Sequence, residues 1–198
     1  MRLIISLTLM LAVICGGCRS GVDCKVTVPD RFLALKSLQD RTFCVAVFTG
    51  TMTPEKKAFK LAPLVGAHLT GLLIDGSTMP VLRSQINARA LLKNNVLQLS
   101  SFAETCAFIG CERGLLCAFS EFRGSGDSRS VKVTLTWVDA VDNEIIVMAV
   151  CRTNLTKSSD LDDFKSYCGK TEQTGDFLDF AALRAINGMF KNIKKLKS

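Results

Sequence analysis

Apolar and polar positions follow two clear periods along this chain. Phe43-Cys44-Val45-Ala46-Val47-Phe48 is an apolar run bounded by Arg41-Thr42 and Thr49-Gly50. A short run of this kind reads as a strand buried on both faces. Thr53-Pro54-Glu55-Lys56-Lys57 is a polar loop or helix start, and Leu61, Leu64, Val65, His68, Leu69, Leu72 and Leu73 then recur at helical spacing. They predict an amphipathic helix ending near Asp75-Gly76. Met79-Pro80-Val81-Leu82 predicts a short strand, whose proline points to an edge or a strand start. Ser84 is a candidate cap for a helix through Asn95, with Ile86, Ala90, Leu91 and Leu92 facing inward. Ser101 to Ile109 predicts another helix, closed by Gly110.

The second half is richer in period-two alternation. Leu115 to Phe122 predicts a strand, and Gly124 to Ser128 a turn. In the next strand Val131, Val133, Leu135 and Trp137 share one face, with Lys132, Thr134 and Thr136 on the other. Asp139 to Glu144 turns the chain, and Ile145 to Cys151 returns it as an antiparallel partner. Arg152 to Gly175 is polar and predicts no element. From Asp176 to about Leu196, the residues Leu178, Ala182, Ala185, Met189, Ile193 and Leu196 form one helical stripe, widened by Phe177, Ala181, Ile186 and Phe190. The order β-α-β-α-(α)-β-β-β-α predicts an α/β (α+β) protein. Its sheet is mixed, mainly antiparallel, of about five strands, with helices packed against it.

The amino terminus is of another kind. Met1-Arg2 precedes a charge-free, largely apolar stretch from Leu3 to Ile14, followed by Cys15-Gly16-Gly17-Cys18. That stretch is too short to cross a bilayer as a helix and has the layout of a secretory signal. Small residues just before a cysteine resemble the lipobox of bacterial lipoproteins, in which the cysteine is acylated and becomes the mature amino terminus. Residues 1–17 are then the signal peptide, Cys18 the lipid attachment site, 18–40 a tether with a short helix around Asp30 to Asp40, and 41–198 the α/β domain. A hydrophobic content of 48% with 22% charged residues supplies enough apolar surface for one globular core. The formal net charge of +7 is partly gathered at Lys191, Lys194, Lys195 and Lys197. Such a cluster reads as a solvated helix end whose cations offset the helix dipole. With a single Trp, a single Tyr and no basic-aromatic motif, the chain is a poor nucleic-acid binder.

Nine cysteines imply disulfides once the chain is exported. Cys44, Cys117 and Cys151 fall within apolar strand patterns, where cysteine acts as a small hydrophobe. Cys24, Cys106, Cys111 and Cys168 lie in loop or helix-end contexts and are the disulfide candidates, with their pairing open.

Two local patterns carry a family resemblance. One runs from Ala107-Phe108-Ile109-Gly110-Cys111 through Leu115-Leu116-Cys117-Ala118-Phe119-Ser120-Glu121-Phe122, a helix closed by glycine that leads into a strand. The other is Val133-Thr134-Leu135-Thr136-Trp137-Val138-Asp139-Ala140-Val141-Asp142-Asn143-Glu144-Ile145-Ile146, a strand, a Val-Asp-Ala turn and a return strand. With the element order, they resemble the fold shared by the curli secretion protein CsgG, the penicillin-binding-protein activator LpoB and the amino-terminal domain of TolB. The resemblance covers roughly residues 42 to 196. Asn143 stands where glycine is common, and asparagine tolerates the left-handed backbone such a turn needs. The family's mid-strand glycine is absent, with Ala118 the nearest small residue. The resemblance implies an envelope context and a structural rather than a catalytic signature.

Chemistry is sparse. His68 is the single histidine and falls on the apolar stripe of its helix. Cys106, Cys111 and Cys117 lack the close spacing of a zinc knuckle, so no metal and no cofactor is expected. Gly124-Ser125-Gly126 is neither a nucleophile elbow nor a phosphate loop. The carboxylates at Asp139, Asp142 and Glu144, and at Asp160, Asp162 and Asp163, read as a turn and a solvated loop. The expectation is a non-enzymatic, membrane-anchored envelope lipoprotein that binds or activates an envelope protein. Its place would be the cell envelope, with Arg19-Ser20 after the anchor favouring the outer membrane, facing the periplasm. A homo-oligomer is compatible with this reading. A secretion-channel subunit of the curli-pore type is the first alternative, but needs a pair of lipid-facing strands of about ten residues that the pattern does not offer. An exported enzyme is the second, favoured by a cleft that sets His68 beside a cysteine or carboxylate.

Overall fold

A computed structural model of the chain describes residues 23–36, 42–48, 55–73, 81–87, 92–93, 96–170 and 176–196. The signal segment, Cys15 and Cys18 lie outside the described residues. Strand β1 (Asp23–Thr27) and helix α1 (Arg31–Lys36) come first. They are followed by β2 (Thr42–Phe48), α2 (Glu55–Leu73), β3 (Val81–Asn87) and the short pair β4 (Leu92–Lys93) and β5 (Val96–Leu97). Helix α3 (Leu99–Phe108), β6 (Arg113–Arg123), β7 (Ser130–Asp139) and β8 (Glu144–Asn154) form the middle. Helices α4 (Ser158–Lys170) and α5 (Phe177–Lys195) close the fold.

The apolar run of β2 sits inside the sheet, as its lack of alternation predicts. Phe43, Val45 and Val47 enter one core, and Cys44 and Ala46 enter another on the opposite face. The six-stranded sheet has the order β1-β8-β7-β6-β2-β3. Strand β2 runs parallel to both β3 and β6, while the β6-β7-β8-β1 half is antiparallel. The sheet is therefore mixed and mainly antiparallel, with β1 as a strand beyond those read from the pattern.

The larger core lies between one sheet face and the helices. Val131, Val133, Leu135 and Trp137 of β7 all enter it, as their alternation predicts. Helix α5 spreads across this face and buries Phe177, Leu178, Ile186, Met189, Phe190 and Ile193. Each such burial contributes about 1.5–3 kcal/mol, against about 1 kcal/mol for a helix cap. Packing therefore holds α5 in place, although Asp176 does cap it by accepting from Leu178 N–H at 2.9 Å. Leu61, Val65 and Leu69 of α2 fill the same core.

The second face is covered in part. Phe102, Ala103 and Cys106 of α3 press onto Cys44, Ala46, Leu116 and Val138. This explains why β7 loses its alternation after Thr136, with both faces buried from there to Asp139. Gly114 permits the contact. A Cβ at that position would lie 2.7 Å from Cys106 Sγ and 2.8 Å from Phe102 Cε1. Gly114→Ala is expected to cost about 1–3 kcal/mol by pushing α3 off the sheet. A urea midpoint equal to that of the parent would show that α3 has room to give.

The β7–β8 turn places Asn143 at φ 55°, the left-handed conformation foreseen for it. Three expectations differ from the structure, and a fourth is met. Residues 23–36, expected within a tether, contribute an edge strand and a helix, because β1 pairs along β8 from Asp23–Arg152 to Thr27–Met148. The short helix foreseen around Asp30 is α1, with Asp30 Oδ1 accepting from Leu33 N–H at 3.0 Å. The helix expected from Ser84 to Asn95 is not formed, since residues 81–87 are a strand paired with β2; residues 88–91 and 94–95 lie outside the described set. Lastly, the polar stretch after Arg152 holds the end of β8 and the whole of α4.

Candidate functional site

The polar stretch that predicted no element builds the most developed polar site. Helix α4 buries Asp160 and Phe164 against α5. Asp160 Oδ1 pairs with Arg184 Nη1 at 2.9 Å, and its Oδ2 accepts from Asn154 N–H at 2.8 Å. Arg184 also reaches Asp163 at 3.4 Å and lies over the Phe180 ring, 5.6 Å from its centroid. These contacts lock α4 to α5 and to the end of β8. Asp160 is 1% exposed, so it is a buried ion-pair partner, unlike the solvated loop residue its neighbours suggested.

Beside this lock runs an open groove of about 470 Å³ between α2, α4 and α5, lined by His68, Asp163, Ser166, Tyr167, Arg184 and Asn187 among others. A second hollow of about 440 Å³ adjoins it at Asn187 and is edged by Lys191, Lys194 and Lys195 over Leu72 and Phe190. His68 is half-buried, and its Nε2 donates to Asn187 Oδ1 at 2.9 Å. Tyr167 packs against Phe180 at 5.6 Å. Burial, followed by the nearby charges of Asp179, Cys168 and Asp176, raises its phenol above the ordinary range.

The groove does bring His68 and a carboxylate to one place, the feature that would favour an enzyme. Their bonding differs from that of a catalytic pair. The His68 ring bonds an amide, and Asp163 bonds Arg184. The arrangement offers hydrogen-bonding groups and an aromatic wall, with a lysine margin on the adjoining hollow.

The cysteines are distributed otherwise than their contexts implied. Cys24 is bonded to Cys151, a residue read from its strand as a plain hydrophobe. The two are register partners on β1 and β8, which brings their side chains to the same face. Cys106 and Cys111 are buried in the smaller core, and Cys168 is half-buried on α4. Burial pushes the Cys117 thiol well above its ordinary range and leaves it unreactive. Among the described residues, no group of three or more His, Cys, Asp or Glu side chains is placed to hold a metal ion.

Sequence reasoning missed a second buried pair. Arg113 Nη1 and Asp139 Oδ2 are 2.7 Å apart, with both side chains almost fully buried. Asp139 Oδ1 also accepts from the N–H groups of Val141 and Asp142, at 2.8 and 3.1 Å. The paired ends of β6 and β7 thus carry a buried charge pair that also shapes the turn. Farther along the same strands, Glu121 sits in the β6 bulge at φ 53° and holds Lys132 at 2.7 Å and Arg152 at 2.6 Å. The hydrogen bond from Lys132 is the main cause that keeps its carboxyl below the ordinary range.

These features define a mixed-sheet α/β body with an open groove on its helical side. No protein-family model matches the chain, and comparison with curated proteins finds no match. Several solved structures are similar at low identity. PelC from Paraburkholderia phytofirmans, solved as a dodecamer, is 14% identical over 79% of this chain and 88% of its own, with a TM-score of 0.46. Lipoprotein GNA1162 from Neisseria meningitidis is 10% identical over 66% of this chain and 99% of its own, with a TM-score of 0.33. The hypothetical protein CT253 from Chlamydia trachomatis is 11% identical over 78% and 94%, with a TM-score of 0.36. A likeness at this level concerns the path of the chain and carries nothing about activity.

Proposed function

We propose that this chain is an exported bacterial envelope lipoprotein, acylated at Cys18, that works without catalysis by docking a protein partner. The observation that carries the reading is the bond between Cys24 and Cys151. A structural disulfide of this kind belongs to an oxidising compartment, the destination that the leader Met1 to Gly17 also encodes. More than one acyl chain is needed for lasting attachment, and a lipidated amino-terminal cysteine supplies them. Among the described residues, no helix is long and apolar enough to cross a membrane. The groove beside α5 is the surface we assign to the partner, because it sets the Tyr167 ring and the bonded pairs His68–Asn187 and Asp163–Arg184 next to a hollow edged by lysines. The fold is read as the CsgG, LpoB and TolB type. Arg19-Ser20 after the anchor supports the outer membrane, facing the periplasm.

Metabolic labelling with palmitate tests the anchor. The parent is expected to take up label and to fractionate with membranes, and Cys18→Ala to lose both. An unlabelled parent together with a variant that stays on the membrane would end the lipoprotein reading. A groove variant, Asn187→Arg, is expected to keep the label and lose the cross-linked partner.

A further inference from the structure

We propose that Cys44 and Cys111 form a second disulfide in the mature protein. The inference rests on the exported location proposed above, since only there is an oxidant at hand. Both residues are buried in the smaller core, and their sulfur atoms lie 2.7 Å apart. That is well inside the ~3.5–4.0 Å at which non-bonded carbon atoms rest, and sulfur is the larger atom. Thiols at that spacing repel, whereas a covalent bond needs only a small further approach to ~2.05 Å.

The local backbone brings them together. Phe43 pairs with Arg113 and Cys44 with Gly114 across parallel β2 and β6, so Cys111, two residues before β6, lies next to the start of β2. Glu112 N–H donates to Thr42 Oγ1 at 3.2 Å, and Cys111 N–H donates to the Cys106 carbonyl at 2.9 Å. The first bond ties the residue after Cys111 to β2, and the second holds Cys111 against the end of α3. Cys106 is buried in the same core, and its Sγ faces Gly114. It is the competing partner that a test must separate.

The chemistry balances with a protein disulfide of the envelope as oxidant. During folding, the thiolate of one cysteine attacks that disulfide and releases one of its sulfurs as a thiol. The second cysteine then attacks the mixed disulfide and displaces the other. Two thiols lose two protons and two electrons, and the oxidant leaves as a dithiol. Burial afterwards shields the bond from reductants. The two bridges would lie on opposite sheet faces, one fastening the edge strand β1 and the other fastening β2 to the segment that leads into β6.

The full chain, exported from its own leader, would be quenched in acid, alkylated in denaturant and digested with trypsin without reduction. The peptide carrying Cys44 is expected to be joined to the peptide that carries both Cys106 and Cys111. Fragment ions should place the bond at Cys111, and reduction should split the pair. In Cys106→Ala the cross-link is expected to persist. Maleimide on both Cys44 and Cys111, beside an intact Cys24–Cys151 link, would overturn this inference alone. A bond at Cys106 would do the same. Maleimide on all four cysteines would overturn the exported location as well.

Discussion

Removing the Cys24–Cys151 bridge with the double replacement Cys24→Ala and Cys151→Ala is expected to cost about 3–5 kcal/mol of unfolding free energy. The bond spans 127 positions, so the reduced chain regains the entropy of a very long loop. It also fastens β1, which pairs with β8 on one side and forms the edge of the sheet. Without the bond, the strand keeps backbone pairing and the half-buried Cys24 and Val26 positions. Melting should fall by about 10 °C, given ~2–4 °C per kcal/mol for a body of this size. Calorimetry of the parent with and without dithiothreitol should reproduce much of the difference. Equal melting of the untreated parent and the double variant would mean that β1 is not held by this bond.

The second large effect belongs to Arg113. Arg113→Leu leaves Asp139 charged, buried and without its cation, which is expected to destabilise by about 3–5 kcal/mol. Combining it with Asp139→Asn removes the stranded charge while keeping an oxygen for the Val141 and Asp142 N–H groups. The double variant should therefore be more stable than Arg113→Leu alone, although it carries one more substitution. Urea unfolding of the four proteins gives the coupling directly. Strict additivity would show that the two charges do not depend on each other.

Much of the architecture was legible because several elements are apolar on one side at a single period. Strand β7 and helix α5 are the clearest, since Val131 to Trp137 and Leu178 to Ile193 bury the residues their spacing nominates. The stretch around Ser84 misled because a cap residue followed by Ile86, Ala90 and Leu91 also satisfies a helix. Pairing with β2 decides the matter, and that is a tertiary fact. Helix α4 was hidden for a different reason. Its inward side includes Asp160, and a hydropathy pattern counts a carboxylate as outward whether or not an arginine awaits it. The same blindness concealed Arg113 and Asp139, whose pairing rests on the register of β6 with β7. Of the site, His68 was singled out early, but Asn187 and Arg184 carry no signal until α2, α4 and α5 are assembled. The link from Cys24 to Cys151 depends on β1 returning to β8, which no local pattern announces.

On the proposed anchoring at Cys18, the placement of β1 would set how far the body can stand off from a bilayer. Its first residue, Asp23, lies beside Arg152 and is fastened one position later by the bond at Cys24. Were Cys18 acylated, the chain from there to Asp23 could separate the lipid from the sheet by at most about 17 Å. The sheet end bearing Arg123, Arg129 and Arg152 would then hang just above the lipid headgroups. A partner of such a molecule would have to come to the membrane surface to be met.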